Sequence, residues 1–186
     1  MKKLLLAVLL LFSISGYAQN IDSTKKSPKR NHFAIGYIMN RYQDDFGLGF
    51  HIVSPHFAGG ASAIKASYNY QWLSYTNTKG ENDWISYKSI RIGAIGTGAL
   101  IEEQIRLYGE GGVCITLANK SMAANTDAKV GGYGIFGFEF LFDKRGTGSY
   151  FIELGGIGTG VKADKLPGKP MYSNGFMIST GFRFYL

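Results

Sequence analysis

The chain has 186 residues, a formal net charge of +7, 26 glycines, and 13 Phe, 12 Tyr and 2 Trp. Glycine stands at roughly twice its ordinary share of about 7%, yet there is no Gly-X-Y period and proline is sparse, which excludes collagen and a Pro-rich disordered chain. A charged fraction of 18% beside 45% hydrophobic residues excludes intrinsic disorder, and the length holds one domain.

Residues 1–18 read as a secretory signal peptide. Lys2 and Lys3 form a basic start, residues 4–12 an apolar run, and Gly16 and Ala18 supply the small residues of a cleavage site before Gln19. The apolar run is too short for a membrane helix, which needs about 20 residues. Losing Lys2 and Lys3 lowers the formal charge from +7 to +5. Residues 19–31 are polar and carry Lys25, Lys26, Lys29 and Arg30, as a solvated basic tail on the periplasmic side would. An exported chain has no nucleic-acid partner to meet. Cys114 is the only cysteine, so no internal disulfide forms, and a lone thiol in an oxidising compartment is expected to be buried or in lipid.

From residue 32 onward the period is two. Residues 32–40 set Phe33, Ile35, Tyr37 and Met39 on one face. Residues 46–52 set Phe46, Leu48, Phe50 and Ile52 against Gly47, Gly49 and His51. Residues 61–72 oppose Ile64, Ala66, Tyr68, Tyr70 and Trp72 to Lys65, Ser67, Asn69 and Gln71. The stretch 84–96 is weaker, with Ile90 and Ile92 against Ser89 and Arg91. Residues 104–118 oppose Ile105, Leu107, Val113 and Ile115 to Arg106, Tyr108, Glu110 and Cys114. Residues 130–142 place Phe136, Phe138, Phe140 and Phe142 opposite Tyr133, Gly137 and Glu139. Residues 149–160 begin with Tyr150, Ile152 and Leu154 against Phe151 and Glu153, and residues 174–186 set Phe176, Ile178, Phe182, Phe184 and Leu186 against Ser179, Gly181 and Arg183. The sum is eight strands near the length of 9–11 residues that a tilted membrane strand requires.

The chemistry of the two faces decides which way the barrel is turned. A water-soluble barrel needs a charged exterior. Here one face is almost free of charge and rich in Phe, Tyr, Leu and Ile, with Phe136, Phe138, Phe140, Phe182 and Phe184 its clearest members. The other carries small residues and isolated charges. That is the pattern of an eight-stranded antiparallel up-and-down transmembrane β-barrel with lipid outside and side chains filling a narrow lumen. Closure leaves no open edge for lipid to meet. Longer connections at 73–83, 119–129 and 161–173 belong outside the cell, with the short 41–45, and the shorter ones at 54–60, 97–103 and 143–148 face the periplasm. Tyr70, Trp72, Tyr75, Trp84 and Tyr87 fall near the outer rim, and Phe33, Phe140, Phe142, Tyr150 and Phe184 near the inner rim, as two aromatic girdles.

With these features the chain resembles the small eight-stranded outer-membrane β-barrels of Gram-negative bacteria, the kind related to outer membrane proteins A, X and W. The resemblance covers residues 32–186. The signal ending in Tyr17, Ala18 and Gln19 is similar to those common in Bacteroidota. The last strand, with Phe182, Phe184 and Leu186 on one face, resembles the C-terminal signal read by the barrel-assembly machinery, although family members usually end in Phe. The resemblance implies insertion from the periplasm, with outer-membrane lipid as surroundings. It implies no single activity, since such barrels include anchors, adhesins, narrow pores and lipid enzymes.

The inward charges are the most informative polar feature: Lys65, Arg91, Arg106, Glu110, Glu139, Glu153 and Arg183, four bases and three acids. Arg91, Arg106, Glu139, Glu153 and Arg183 are expected near the periplasmic end, Lys65 at a similar level and Glu110 nearer the middle. Interlocked across the lumen they form a structural core. Lining a pore, their positive excess favours anions. No catalytic set emerges. His32 and His56 lie at a strand start and a turn. His51 points inward, and Ser54, three residues on, faces the other side. Asp44 and Asp45 form a short acidic loop tip with no His/Cys cluster to complete a metal site. The glycine runs at 93–98 and 155–160 lack the Lys-Ser/Thr pair and following helix of a phosphate loop, and read as strand bends. The expectation is a non-enzymatic outer-membrane barrel without cofactor, structural or binding an extracellular ligand through its loops. A narrow channel for small solutes is the alternative, a lipid-modifying barrel enzyme comes third and a soluble ligand-binding barrel fourth.

Overall fold

A computed structural model describes residues 32–143 and 146–186; the expected signal and tail (1–31) and the turn residues Lys144 and Arg145 lie outside the described residues. Eight strands follow in order: β1 (Ala34–Tyr42), β2 (Asp45–Val53), β3 (Ser62–Thr76), β4 (Asn82–Ile101), β5 (Ile105–Leu117), β6 (Lys129–Leu141), β7 (Gly148–Lys162) and β8 (Met171–Tyr185). Each is antiparallel to its neighbours, and β1 pairs with β8 from Ala34↔Tyr185 to Tyr42↔Met177, closing the ring. This is an all-β, up-and-down, eight-stranded barrel.

The alternation builds it. Along β1, Ala34, Ile38, Asn40 and Tyr42 are buried, while Tyr37 is 59% exposed and Met39 47%. Along β6 the buried Tyr133, Ile135, Gly137 and Glu139 interleave with outward Phe136, Phe138 and Phe140. Phe182 and Phe184 point outward from β8 in the same way, at 41% and 45%. The wall is thus a continuous sheath of exposed Phe, Tyr, Ile and Leu, far more apolar surface than a soluble monomer displays. Aromatic pairs such as Phe50–Tyr68 and Tyr150–Phe182, with ring centroids 5.6 Å and 5.4 Å apart, tie neighbouring strands on that face.

Several strands run further than their alternation indicates. β3 and β4 stay paired out to Thr76↔Asn82, through residues expected in a loop, and β4 continues to Ile101 through the expected 97–103 connection. Ser74, Asp83 and Asn82 are polar on both faces there, so pairing continues where the hydrophobic signal has stopped. Two register shifts interrupt the walls. One lies between Thr97 and Leu100 of β4, the other between Gly158 and Val161 of β7, each opposing an extra residue on one strand. Gly160 at the second has φ 65°, a backbone region that glycine enters without penalty.

One end of the barrel, the turn end, carries the start of β1, the end of β8 and the connections after β2, β4 and β6. The other carries the connections after β1, β3, β5 and β7 and is the loop end. Glycines on the inner face make room for large neighbours. A Cβ on Gly137 would fall within the Tyr108 ring, and one on Gly93 would meet the Tyr133 hydroxyl.

Candidate functional site: the barrel lumen and its loop-end cover

All seven expected lumen charges point into the barrel, and none is more than 5% exposed. Burying an ion is costly unless it is paired, so their partners decide what the lumen is. Lys65 on β3 donates to Glu110 Oε2 on β5 and to Glu153 Oε1 on β7, both at 2.7 Å. Tyr133 donates to the other Glu110 oxygen at 2.6 Å, and Tyr108 to Glu153 Oε1 at 2.7 Å. One ammonium therefore links three alternate strands.

Nearer the turn end Glu139 is the second hub. Its Oε1 accepts from Ser149 at 2.6 Å, Tyr185 at 2.8 Å and Arg183 at 3.3 Å, and Arg106 reaches Oε2 at 3.5 Å. Arg183 joins the hubs, with Nη2 3.9 Å from Glu153 and Nε donating to His51 Nε2 at 3.3 Å. Its guanidinium lies 5.1 Å from the Phe151 ring and 5.5 Å from that of Tyr108. Below them Ala34, Val53, Ala63, Ile95 and Tyr108 pack together at the turn end.

Arg91 stands apart from this network. It donates to Asn40 Oδ1 and to Met177 Sδ at 2.9 Å, and sits 5.5 Å from the Tyr133 ring. These partners are neutral and lie toward the loop end. The expected position near the turn end assumed a strand ending at residue 96. With β4 extending to Ile101, Arg91 is mid-strand. Asn40 in turn accepts from Ser179 and donates to Asn69, each at 2.8 Å.

The acidic loop tip divides. Asp44 is exposed, but Asp45 is the first residue of β2 and is 3% exposed inside the barrel. Its Oδ2 accepts from the Tyr87 hydroxyl at 2.5 Å and from the Ser173 backbone N–H at 2.7 Å. Ser173 has φ 51°, a left-handed conformation uncommon outside glycine. It lies opposite the β7 bulge, where Thr159 Oγ1 is 3.1 Å from the carbonyls of Tyr172 and Ser173, and Thr116 donates to its hydroxyl at 3.2 Å. Sequence reasoning missed Asp45 although a signal existed: it shares parity with Gly47, Gly49 and His51, the inward face of that strand. Its inclusion makes four bases and four acids among the buried charges, without the positive excess expected.

Two aromatics assigned to the outer girdle also face inward. Tyr87 is 2% exposed and Tyr75 packs against the same interior group, while Tyr70, Trp72 and Trp84 face out. Tyr87 shares parity with Ser89 and Arg91, and a carboxylate inside gives its hydroxyl a partner.

Above Asp45 the loop end is covered. Met122 from the β5–β6 connection and Ala163 and Leu166 from the β7–β8 connection pack on Leu73, Tyr87 and Tyr172. The two connections are bonded to one another. Lys165 N–H donates to Met122 O at 3.2 Å, Lys165 Nζ to Lys120 O at 2.7 Å, and Ala124 N–H to Asp164 Oδ1 at 2.8 Å. Open clefts at this end lie outside the cover, one lined by Asn125, Lys129, Thr159, Lys162 and Asp164. Among the described residues no group of three or more His, Cys, Asp or Glu side chains is placed to hold a metal ion. Cys114 is buried beside Thr116 and Ser173.

No protein-family model matches the sequence, and no curated protein matches it. Solved structures do match the fold. The N-terminal β-barrel domain of Pseudomonas aeruginosa OprF superposes with a TM-score of 0.57 at 14% identity, over 84% of this chain and 98% of that one. The outer membrane protein OprG of the same organism gives a TM-score of 0.57 at 12% identity, over 87% and 98%. Closure of eight antiparallel strands, an apolar exterior and this likeness together give the chain the fold of the small outer-membrane β-barrels.

Proposed function

We propose that the protein is a non-enzymatic barrel of the bacterial outer membrane, closed along its axis, that meets its surroundings through its outer loops. The observation that carries this reading is the filled lumen, with every buried base held by a carboxylate, amide, thioether or aromatic ring. An eight-stranded barrel has an interior just wide enough for side chains. A conducting pore needs a row of exchangeable sites, and paired charges at 0–5% exposure offer none.

In this reading the exposed apolar sheath lies in outer-membrane lipid, the turn end and the basic tail face the periplasm, and the loop end faces outward. Residues 1–18 direct export and are cleaved from the exported chain. Phe182 and Phe184, outward-facing on β8, and the exposed Leu186 that follows the strand are the residues that barrel-assembly machinery would read. The loops, whose ligand is an extracellular molecule, are held by the Met122–Leu166 cover.

Planar-bilayer recording of the refolded full-length protein tests the reading. The parent is expected to give no steady conductance, and Glu139→Gln to open one by releasing Arg106 and Arg183. A substantial parent conductance unchanged by Glu139→Gln would overturn the closed barrel in favour of a narrow pore.

A further inference from the structure

The barrel strands keep nearly all their charges inside or at the mouth. Among the described residues the outward exceptions are Arg41 on β1, Lys88 on β4 and Lys162 on β7, each flanked in sequence by an inward neighbour, Tyr42, Tyr87 and Val161. All three are cations, all three stand at the loop end, and no outward acid accompanies them on the strands.

Lys88 has the most developed surroundings. It is the cross-strand partner of Tyr70, and Ser86 is the partner of Trp72, so the four share one patch of the outer face. Tyr70 donates its hydroxyl proton to Ser86 Oγ at 2.8 Å. The Ser86 hydrogen is then free to donate elsewhere. Lys88, Ser86 and Tyr70 line a groove of about 360 Å³ with Leu117 and Ala118, and Ile90 and Ile115 continue the face below it as plain apolar wall. A second groove of about 320 Å³ repeats the chemistry at Arg41, with Gln43 beside Phe176 and Ile178.

We infer that the Lys88–Ser86 groove binds a phosphate group of an outer-leaflet lipid, with the lipid's acyl part against Leu117 and Ile115. The inference rests on the membrane reading above. The apolar sheath fixes the depth of the barrel, which brings Lys88 to headgroup level. There an ammonium and a hydroxyl both donate to phosphate oxygens, and the absence of an outward acid leaves nothing to receive a zwitterion's cationic end.

The test uses the folded full-length protein in detergent and native mass spectrometry with diphosphoryl lipid A, the same lipid stripped of its phosphates, and inorganic phosphate. The parent is expected to retain the phosphorylated lipid. Ser86→Ala/Lys88→Gln is expected to retain about fivefold less, the effect of one membrane-surface cation, while Lys79→Gln at the β3–β4 loop tip leaves retention unchanged. Heat-shifted gel migration verifies that each variant is folded. Equal retention by parent and double variant, equal retention of the stripped lipid, or displacement by equimolar inorganic phosphate would each overturn the assignment. Flotation with phosphatidylcholine vesicles separates the two levels: failure to float sinks the membrane reading itself, whereas floating with indifferent lipid retention removes only this site.

Discussion

Lys65 and Glu153 are 88 residues apart in sequence, and their charged atoms meet at 2.7 Å in the lumen, with the two side chains 2% and 0% exposed. Lys65 arrives on β3 and Glu153 on β7, strands that do not pair with each other, so the bond is a strut across the barrel. Removing one member of such a pair leaves the other charge buried without compensation. Glu153→Gln is therefore expected to destabilise by about 3–5 kcal/mol. The urea dependence of the heat-shifted gel band measures it. Lys65→Met combined with Glu153→Gln is expected to cost less than the two singles summed, since contacting residues do not add.

The outward face gives a depth-dependent prediction. Phe138→Arg places a cation near the middle of the apolar sheath and is expected to cost about 2–4 kcal/mol, while Phe142→Arg, at the turn-end rim, is expected to cost about 0–1 kcal/mol. Equal costs in a lipid-refolding assay would show that the face is not ordered by membrane depth.

Asp45 holds the loop-end mouth by accepting from Tyr87 and from the strained Ser173 backbone. Asp45→Asn removes the charge from both bonds and is expected to cost about 1.5–3 kcal/mol. Amide hydrogen exchange at Ser173 provides the local readout, with faster exchange expected in the variant and protection elsewhere in β1 and β2 retained.

The cover over the mouth is apolar and separable from the charges beneath it. Met122→Ala removes a fully buried side chain and is expected to weaken loop docking by about 2–5 kcal/mol. Limited proteolysis of the β5–β6 connection should then accelerate while bilayer current stays at baseline, because the Lys65 and Glu139 hubs remain. A current appearing with Met122→Ala alone would make the cover, and not the charge network, the barrier.

Much of this is legible in the alternation of the sequence. Glu139 reads as inward because Phe138 and Phe140 flank it, and strand geometry sends neighbours to opposite faces. Tyr87 and Asp45 obey the same rule but lie where glycine, serine and aspartate dilute the pattern, so they read as rim and loop. The loop-end reach of β3 and β4 was hidden for the same reason: polar residues on both faces leave no alternation to count, although their backbones still pair.

The sequence by itself determined eight strands, two chemically opposite faces and seven of the eight buried charges, because a two-residue period is a local property of the extended chain. Only the tertiary structure decided which charges meet. Whether Lys65 reaches Glu153 or Glu139 depends on the registers of the four strand pairs from β3 round to β7, because a one-residue slip in any of them turns a whole set of side chains to the other face. It also decided that Arg91 turns to Asn40 and Met177, and that Asp45 enters to balance the bases, since a closed narrow lumen leaves no charge without a neighbour.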